Sequence, residues 1–356
     1  MSVNIIGTYP TIPRKRTGLF SFDRAVGHKG EFGLPLRTVV ELYGYPNVGK
    51  SSLSYFLSGR IAETGRIEIC DLEMLDRDYL QAAIGHSGFS GDVRIMDITD
   101  KDGKPITHEK MMMAMVGGLY DEGSGSAILD SVGAIQPIAE SEGDFGEAFM
   151  GKRAKLVAQV SRALSSTLRT KTRPSAAFVI NHVHSIIGGR GHSTAGGETL
   201  KYIAAVRIML TPVATWRLKD DDPTSPLLGF QVKGQIEKLR YGGRGEAFSF
   251  FIVPGYGVHQ GVSAMFDCFT YKLAEQGSTV KLDGKSLGYI RKDLLTYAAK
   301  GKERKFDPFV EKLQEYEKDL AKERKDADKE DDTPKKRKSS ANVANLEEDV
   351  MEEKDE

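Results

Sequence analysis

The sequence predicts an α/β fold: a mostly parallel central sheet covered by helices, then a small α+β module and a charged tail. Three observations predict it. From about residue 18 to 265, β-branched or apolar runs of strand length alternate with segments of helical periodicity, the pattern of a sheet covered on both faces. Residues 44–51 read G-x-x-x-x-G-K-S between one such run and one such helix. Beyond about 325 the chain is almost all Lys, Asp, Glu, Ser and Asn, with too few apolar side chains to offset ordering entropy.

In chain order, residues 1–17, with prolines at 10 and 13, read as an arm or an added edge strand. "RTVVELYG" (37–44) is a buried-strand candidate, and "SSLSYFLSGRIAE" after it carries Leu53, Phe56, Leu57 and Ile61 at helical spacing. Further strands are expected at "RIEICDLE" (66–73), "VRIMDI" (93–98), "SAILDSVG" (126–133), "AAFVINHV" (176–183), "AAVRIMLTP" (204–212), "LGFQVKGQIEKL" (228–239) and "AFSFFIVPG" (247–255). Between them, Leu156, Val157, Val160, Leu164 and Leu168 share one helical face, a packing stripe. A helix-rich module follows over 266–324: "SAMFDCFTYKLAEQG", the hairpin "STVKLDGKSLG", "YIRKDLLTYAAKG" and a helix from about 307 to 324. Residues 325–356 read as a disordered tail, basic at "PKKRK" and acidic at its end.

Composition narrows the function classes. The 356 residues carry equal numbers of acidic and basic side chains, 50 each, an average that hides an interspersed body, a basic "PKKRK" and an acidic end. Cys70 and Cys268 lie in apolar runs and read as core thiols of a reducing compartment. No run reaches membrane-spanning length and the N-terminus lacks a signal-peptide core, so a soluble cytoplasmic protein with no membrane partner is expected.

The glycine loop is suited to polyphosphate. Gly44 and Gly49 let the backbone curl so that N–H groups face inward, Asn47 and Val48 among them, and the helix that follows adds its partial positive charge. Lys50 then reaches the β- and γ-phosphates, and the Ser51 hydroxyl, next to Ser52, completes Mg²⁺ coordination, which makes ATP and Mg²⁺ the expected cofactors. Hydrolysis needs carboxylates at the ends of neighbouring strands. Asp130 ends "SAILD" and suits the metal side. Asp71 and Glu73 close "RIEICDLE" on one face, one catalytic and the other structural. Asn181 and His182 end a third strand, where a polar group can sense a γ-phosphate.

The order and spacing of "KRTGLFSFDRAVG", "VVELYGYPNVGKSSL", "DLEMLDRDYL", "ILDSVGAI", "GKRAKLVAQVSRALSS", "FVINH", "GGETLKYIAAVRIML" and "PGYGVHQ" resemble the RecA-type DNA strand-exchange recombinases, over about 17–320. The resemblance is nearest to their T4-type phage branch, typified by UvsX. It implies a RecA-like P-loop ATPase core at 18–265, an N-terminal arm touching a neighbouring protomer, and a DNA-gating C-terminal module. It makes Glu73 the residue that activates water, with Lys50 on the phosphates. Asp130 becomes the Mg²⁺-side carboxylate, Asp76 and Tyr79 the adenine contacts, and Asn181 with His182 the switch. It sets two DNA loops: "AESEGDFGEAFMGKRAK" with Met150, Lys152, Arg153 and Lys155, and residues 184–197 with Ile187 and Arg190. Both are glycine-bearing segments with cations and apolar wedges and few strand formers, which suits mobile loops holding stretched nucleic acid. The interface strand keeps Lys233 toward a neighbour's ATP but has Gln235 at the second lysine position. Either one lysine suffices, Lys238 or Arg240 substitutes, or the contact is weaker.

The expected activity is therefore an ATP-dependent recombinase forming a helical homo-oligomer on single-stranded DNA. It pairs that strand with homologous duplex, assisted by a single-strand-binding protein and a loading mediator, in a bacterial cytoplasm. Two alternatives are another RecA-fold motor, such as a helicase or branch-migration factor, and a filament scaffold that uses ATP only as an assembly switch. Only about 17 residues precede the core, and two cysteines cannot make a four-cysteine zinc motif, which weighs against the motors. The presence of both Glu73 and Asp130 weighs against the scaffold.

Overall fold

The computed structural model describes residues 12–28, 30–138, 151–185, 192–242 and 245–331. The chain divides into two compact units, Met1–Gln314 and Glu315–Glu356. Within the first, β1 (Arg14–Lys15) pairs antiparallel with β2 (Leu34–Pro35), with α1 (Phe20–Ala25) between them. Arg14 donates to the carbonyls of Val26, Gly33 and Tyr241, so this part of the expected arm is anchored on its own protomer. Residues 1–11 lie outside the described residues.

The central sheet is built on β3 (Thr38–Gly44). After α2 (Lys50–Ala62) come β4 (Arg66–Asp71), α3 (Arg77–Gly85), the edge strand β5 (Val93–Ile95), α4 (His108–Tyr120) and β6 (Ser124–Asp130). Then follow α5 (Lys152–Thr170), β7 (Ala176–Ser185), β8 (His192–Thr194), α6 (Glu198–Ile203), β9 (Val206–Arg217), β10 (Leu227–Leu239), β11 (Ala247–Val253) and β12 (Gly257–Val258). The strand order is β12-β11-β10-β9-β3-β7-β6-β4-β5. From β9 to β5 every pairing is parallel, while β9 to β12 are joined antiparallel. The glycine loop leaves β3, whose neighbours β7 and β9 both lie later in the chain, so the strand order reverses there and a crevice opens at the strand ends.

Alternation along the strands feeds two cores. Phe178 and Ile180 face the side covered by Leu53, Phe56, Leu57 and Ile61 of α2. Ala177 and Val179 face the side covered by Val157, Val160, Leu164 and Leu168 of α5 and by Met111 and Met115 of α4. Burying each large side chain contributes roughly 1.5–3 kcal/mol, so these stripes, not local propensity, hold the helices.

Several element limits differ from expectation. β4 stops at Asp71, not Glu73, because the Asp71 carboxylate accepts the Glu73 and Leu75 N–H groups and turns the chain. β5 stops at Ile95; it is an edge strand paired only to β4. α7 (Gln260–Thr270) ends where Lys272 adopts φ 60, and "AEQ" becomes β13 (Ala274–Gln276). That strand joins the expected hairpin, β14 (Val280–Leu282) and β15 (Lys285–Ser286), whose turn uses Asp283 and Gly284 at positive φ. α8 (Arg291–Ala299) follows, and α9 (Asp307–Asp331) extends past the expected end at 324. Residues 332–356 lie outside the described residues. A third core joins Leu228, Phe251 and Val253 of the sheet to Leu294, Leu295, Phe306 and Phe309. Both cysteines are buried and free, and no described helix is long and apolar enough to cross a membrane.

Asp267 on α7 is 1% exposed and accepts the Ser21 N–H at 3.1 Å, tying α1 to α7. Burial pushes its carboxyl up to about 7. Between about pH 4 and 7 the unfolded chain therefore gives up a proton that the folded chain keeps, and stability falls as pH rises through that window. Asp267→Asn retains an acceptor and removes the titration. The variant is expected to be more stable than wild type at pH 8 by an amount on the order of 2–4 kcal/mol, read as a higher melting temperature, with the gap closing towards pH 4. Parallel melting curves at both pH values check this.

Candidate active site

The loop from Gly44 to Ser51 is shaped by close contacts at its glycines. A Cβ on Gly44 would lie 2.5 Å from the Leu210 carbonyl oxygen. Gly49 caps α2 at φ 88, and a Cβ there would lie 2.2 Å from Ile252 Cδ1. Asn47 sits at φ 59, in the left-handed region that Asn tolerates better than most residues. Lys50 opens α2 and is 5% exposed, with Nζ donating to the carbonyls of Gly44 (3.2 Å) and Tyr45 (2.8 Å). Burial lowers its pKa, and the nearby Asp130 and Glu73 carboxylates oppose the shift. The ammonium is thus held over the loop by weak neutral acceptors that an anion can replace.

Ser51 Oγ donates to Asp130 Oδ2 at 2.6 Å, joining the first turn of α2 to the end of β6. Asp130 is 5% exposed, and burial raises its carboxyl to about 6, with Ser51 and Lys50 opposing and Glu73 and Asp71 adding to the rise. A buried carboxylate facing a hydroxyl and a lysine, with two more carboxylates nearby, is short of cationic charge. A hydroxyl and one carboxylate are the hard-oxygen set that Mg²⁺ uses when phosphates and water supply the rest. Among the described residues no group of three or more His, Cys, Asp or Glu is placed to hold a metal unaided. These residues fit ATP with Mg²⁺.

Of the two acids at the end of β4, the turn commits Asp71 to its own backbone, while Glu73 points into the cleft. Glu73 Oε1 accepts from Ser131 Oγ and lies 2.9 Å from His182 Nε2. Burial would raise its pKa, but the Ser131 and His182 hydrogen bonds and Lys50 outweigh it and hold the carboxyl below its usual value. The cleft, about 480 Å³, is lined by the loop, Glu73, Asp130 and His182, together with Tyr79, Leu227, Phe230, Ile252 and Pro254. The Tyr79 hydroxyl meets Ser52 Oγ at 2.5 Å. Asp76 is placed differently from Tyr79: its carboxylate caps α3 by accepting the N–H groups of Asp78 (2.9 Å) and Tyr79 (3.2 Å), so its local role is to start the helix that carries Tyr79.

Asn181 and His182 part company. Adjacent strand residues point to opposite faces, so only one of them can meet the cleft, and it is His182. Asn181 is fully buried on the other face. It donates to Glu41 Oε1 (3.0 Å) and to the Ala195 carbonyl (2.9 Å), which corrects its expected place at the nucleotide.

The family model for the RecA N-terminal domain matches residues 8–238, well over half of the chain. This chain belongs to the RecA family. Protein RecA of Pseudarthrobacter chlorophenolicus is 30% identical over 247 residues, covering 68% of this chain and 64% of that protein. Protein RecA of Desulforapulum autotrophicum is 30% identical over 252 residues, covering 69% and 67%. That of Leifsonia xyli subsp. xyli is 28% identical over 278 residues, covering 76% and 72%. The matched stretch thus spans a little under two thirds of the first relative's length.

The remaining RecA-like expectations concern the loops and the strand β10. Met150, Ile187 and Arg190 lie outside the described residues. Lys152, Arg153 and Lys155 occupy the first turn of α5, behind Gly151 at φ 87. The second loop is less irregular than its composition suggests: β8 pairs back on β7, with Val183 opposite Thr194 and Ser185 opposite His192, so its two stems form a hairpin. Its exit is wedged, since a Cβ on Gly196 would lie 2.8 Å from Val132 Cγ1 and 2.9 Å from Val157 Cγ1. Lys233 lies on β10, exposed and not among the residues that line the cleft. The suggested substitutes are occupied elsewhere. Lys238 Nζ donates to the Lys201 and Tyr202 carbonyls, and Arg240 to Tyr202, so both cap the C-terminus of α6.

Sequence reasoning missed the pair formed by buried Glu41 and part-buried Arg207, joined through Arg207 Nε and Glu41 Oε2 at 2.5 Å. One acid in "VVELYG" and one base in "AAVRIML", each in an otherwise apolar strand, carried the signal. The two strands are paired with Glu41 directly opposite Arg207. Ser131 was also missed as a partner of Glu73.

Proposed function

We propose that this chain is an ATP-dependent homologous recombinase. It polymerises as a helical filament on single-stranded DNA, pairs that strand with homologous duplex, and hydrolyses ATP in response to DNA. The observation that carries the reading is the 2.9 Å contact between Glu73 and His182. Glu73 is the carboxylate free to orient water. His182 lies on β7, the strand that runs directly into the second loop. A change at the phosphate end of the cleft therefore reaches that loop through one side chain, the coupling a DNA-stimulated ATPase needs.

In this reading Lys50, released from the Gly44 and Tyr45 carbonyls, neutralises the terminal phosphates, and Ser51 and Asp130 hold Mg²⁺. The ion supplies charge stabilisation to the transferring phosphoryl group. Glu73, ionised at neutral pH, orients the attacking water, while Ser131 and His182 fix its rotamer. Tyr79 takes the adenine, with Asp76 acting through the helix. Lys152, Arg153 and Lys155, and in the undescribed loops Met150, Ile187 and Arg190, are the proposed DNA contacts. Lys233 reaches a neighbour's nucleotide. The division into an arm (1–17), a core (18–265), a gating module (266–324) and a tail (325–356), the nearness to the T4-type phage branch, cytoplasmic action, and a single-strand-binding partner with a loading mediator belong to the same proposal. His182 at the switch, where bacterial RecA has glutamine, supports the phage branch.

The test is ATP hydrolysis with and without single-stranded DNA, followed by negative-stain microscopy of the same mixtures. A rate raised at least about tenfold by DNA, together with helical filaments, is the expected result. Closed rings, or a rate indifferent to DNA, would reject the recombinase reading in favour of another motor or a scaffold.

A further inference from the structure

The tip of the β11–β12 hairpin contributes Pro254 to the lining of the cleft, which it shares with Tyr79 of α3. Sheet hydrogen bonds fix only the root of this hairpin, where Ile252 faces Val258 and Val253 faces Gly257. The tip is placed by something else. Gly257, at φ 92, lies so near α3 that a Cβ would be 2.8 Å from Ala83 Cβ and 3.9 Å from the Tyr79 hydroxyl. The Tyr256 ring stacks on His86, the C-cap of α3, with centroids 3.4 Å apart and planes 12° apart. It also stacks on His259, at 4.7 Å and 20°.

The last member comes from the short helical segment before α9. Glu303 Oε1 accepts the Tyr256 hydroxyl at 2.7 Å and lies 3.3 Å from His86 Nδ1. It therefore joins the hairpin tip to α3. Phe306, one turn on, packs edge-on against His259 at 5.0 Å. His259 is itself held as the cap of α7, its Nδ1 accepting the Val262 N–H at 3.2 Å.

None of the four polar members lines the cleft, and the cluster borders the third core, on which Tyr256 packs and beside which His259 is buried. The His86 and Glu303 side chains are 34% and 55% exposed, where hydrogen bonds contribute little to folding. What it does fix is the spacing of two cleft walls, Tyr79 on α3 and Pro254 on the hairpin. A flat base held between two walls is sensitive to their separation, whereas a triphosphate held by the glycine loop is not.

We infer that His86, Tyr256, His259 and Glu303 form a positioning clamp through which the segment at 303–306 sets affinity for the nucleoside part of the nucleotide. The inference rests on the nucleotide reading of the cleft and adds to it a control from the C-terminal module. Glu303 and Tyr256 are positioning residues; neither lines the cleft.

The test compares ATP with inorganic tripolyphosphate, which has no base, as competing occupants of the cleft in the full chain. In Glu303→Ala and Tyr256→Ala the KM for ATP is expected to rise about five- to tenfold, the scale of one lost hydrogen bond or stack. The kcat at saturating ATP and the inhibition constant of tripolyphosphate are expected to stay within about twofold of wild type. Glu303→Gln keeps an acceptor for the Tyr256 hydroxyl and should recover most of the affinity. An unchanged KM in both alanine variants, or an equal loss for ATP and tripolyphosphate, would overturn the clamp. Failure of tripolyphosphate to compete with ATP in the wild-type protein would instead overturn the phosphate-loop reading beneath it.

Discussion

Lys50→Ala is expected to lower DNA-stimulated ATP hydrolysis by a factor on the order of 10³ while leaving the fold at least as stable as wild type. Both halves follow from where the ammonium sits. Lys50 is 5% exposed and makes its hydrogen bonds to two neutral carbonyls, and the opposing charge comes more from Asp130 than from Glu73. Its pKa is lowered, chiefly by burial, so the folded state holds this proton less tightly than the unfolded state does. The group therefore works against folding at neutral pH, and stability rises as pH climbs towards the ordinary lysine range. Alanine removes that penalty, and the Gly44 and Tyr45 carbonyls it leaves face a cleft that water can enter. With triphosphate in place the balance inverts, because the charge that burial disfavours now meets several formal negative charges. Phosphate release and a melting curve on the same preparation decide the matter. Wild-type hydrolysis would remove Lys50 from the chemistry, and a large fall in melting temperature would make the loss of activity a folding effect.

The phosphate loop was legible in the sequence because its chemistry is local: two glycines, a lysine and a serine act within one turn and need no distant partner to be placed. Asp130 was legible for a related reason, since an acid that ends an apolar run must surface where the strand does. The split between Asn181 and His182 was half legible. Alternation sends the two to opposite faces, but which face holds the cleft depends on β7 lying beside β3, a pairing between residues far apart in sequence. The same limit hid Glu41 and Arg207, and it hid the commitment of Lys238 and Arg240 to the end of α6, since a cation's target is a tertiary fact. Glu73 and Asp71 could not be ranked from spacing because the deciding contact is a turn. Once Asp71 accepts two N–H groups from the residues that follow, it is spent on the backbone, and Glu73 is carried past the strand end into the cleft. Composition misjudged the segment at 184–197: glycine-rich sequence was read as irregular, whereas its stems pair and Gly196 is needed for a close approach, not for freedom.

Glu73→Gln is the substitution that separates binding from turnover. Glutamine has the size of glutamate and keeps an oxygen at the position that accepts from Ser131 and lies 2.9 Å from His182, so the cleft should retain its shape and its affinity for ATP within about twofold. It cannot carry the negative charge that the proposed mechanism uses to orient water, and kcat is expected to fall by about 10²–10⁴. The depressed pKa of Glu73 sharpens the assignment. Burial alone would raise it, yet Ser131, His182 and Lys50 together hold it below the usual carboxylate range, which leaves it fully ionised but weakly basic at neutral pH. A weak base removes little of the water's proton ahead of the transition state. That is tolerable in phosphoryl transfer, where positioning and charge placement carry most of the catalysis. It also means that the acid limb of kcat should not be set by Glu73 near pH 7, because the group stays ionised well below that point. Glu73→Gln filaments on single-stranded DNA should therefore assemble with ATP as wild type does and persist many times longer, read by the decay of DNA-bound protein after dilution. Asp71→Asn is the matched control: it keeps one acceptor for the turn and is expected to lose stability, about 1 kcal/mol for a weakened cap, with kcat little changed. If Asp71→Asn abolishes turnover while Glu73→Gln hydrolyses ATP normally, the two carboxylates have been assigned the wrong way round, and the contact with His182 is structural.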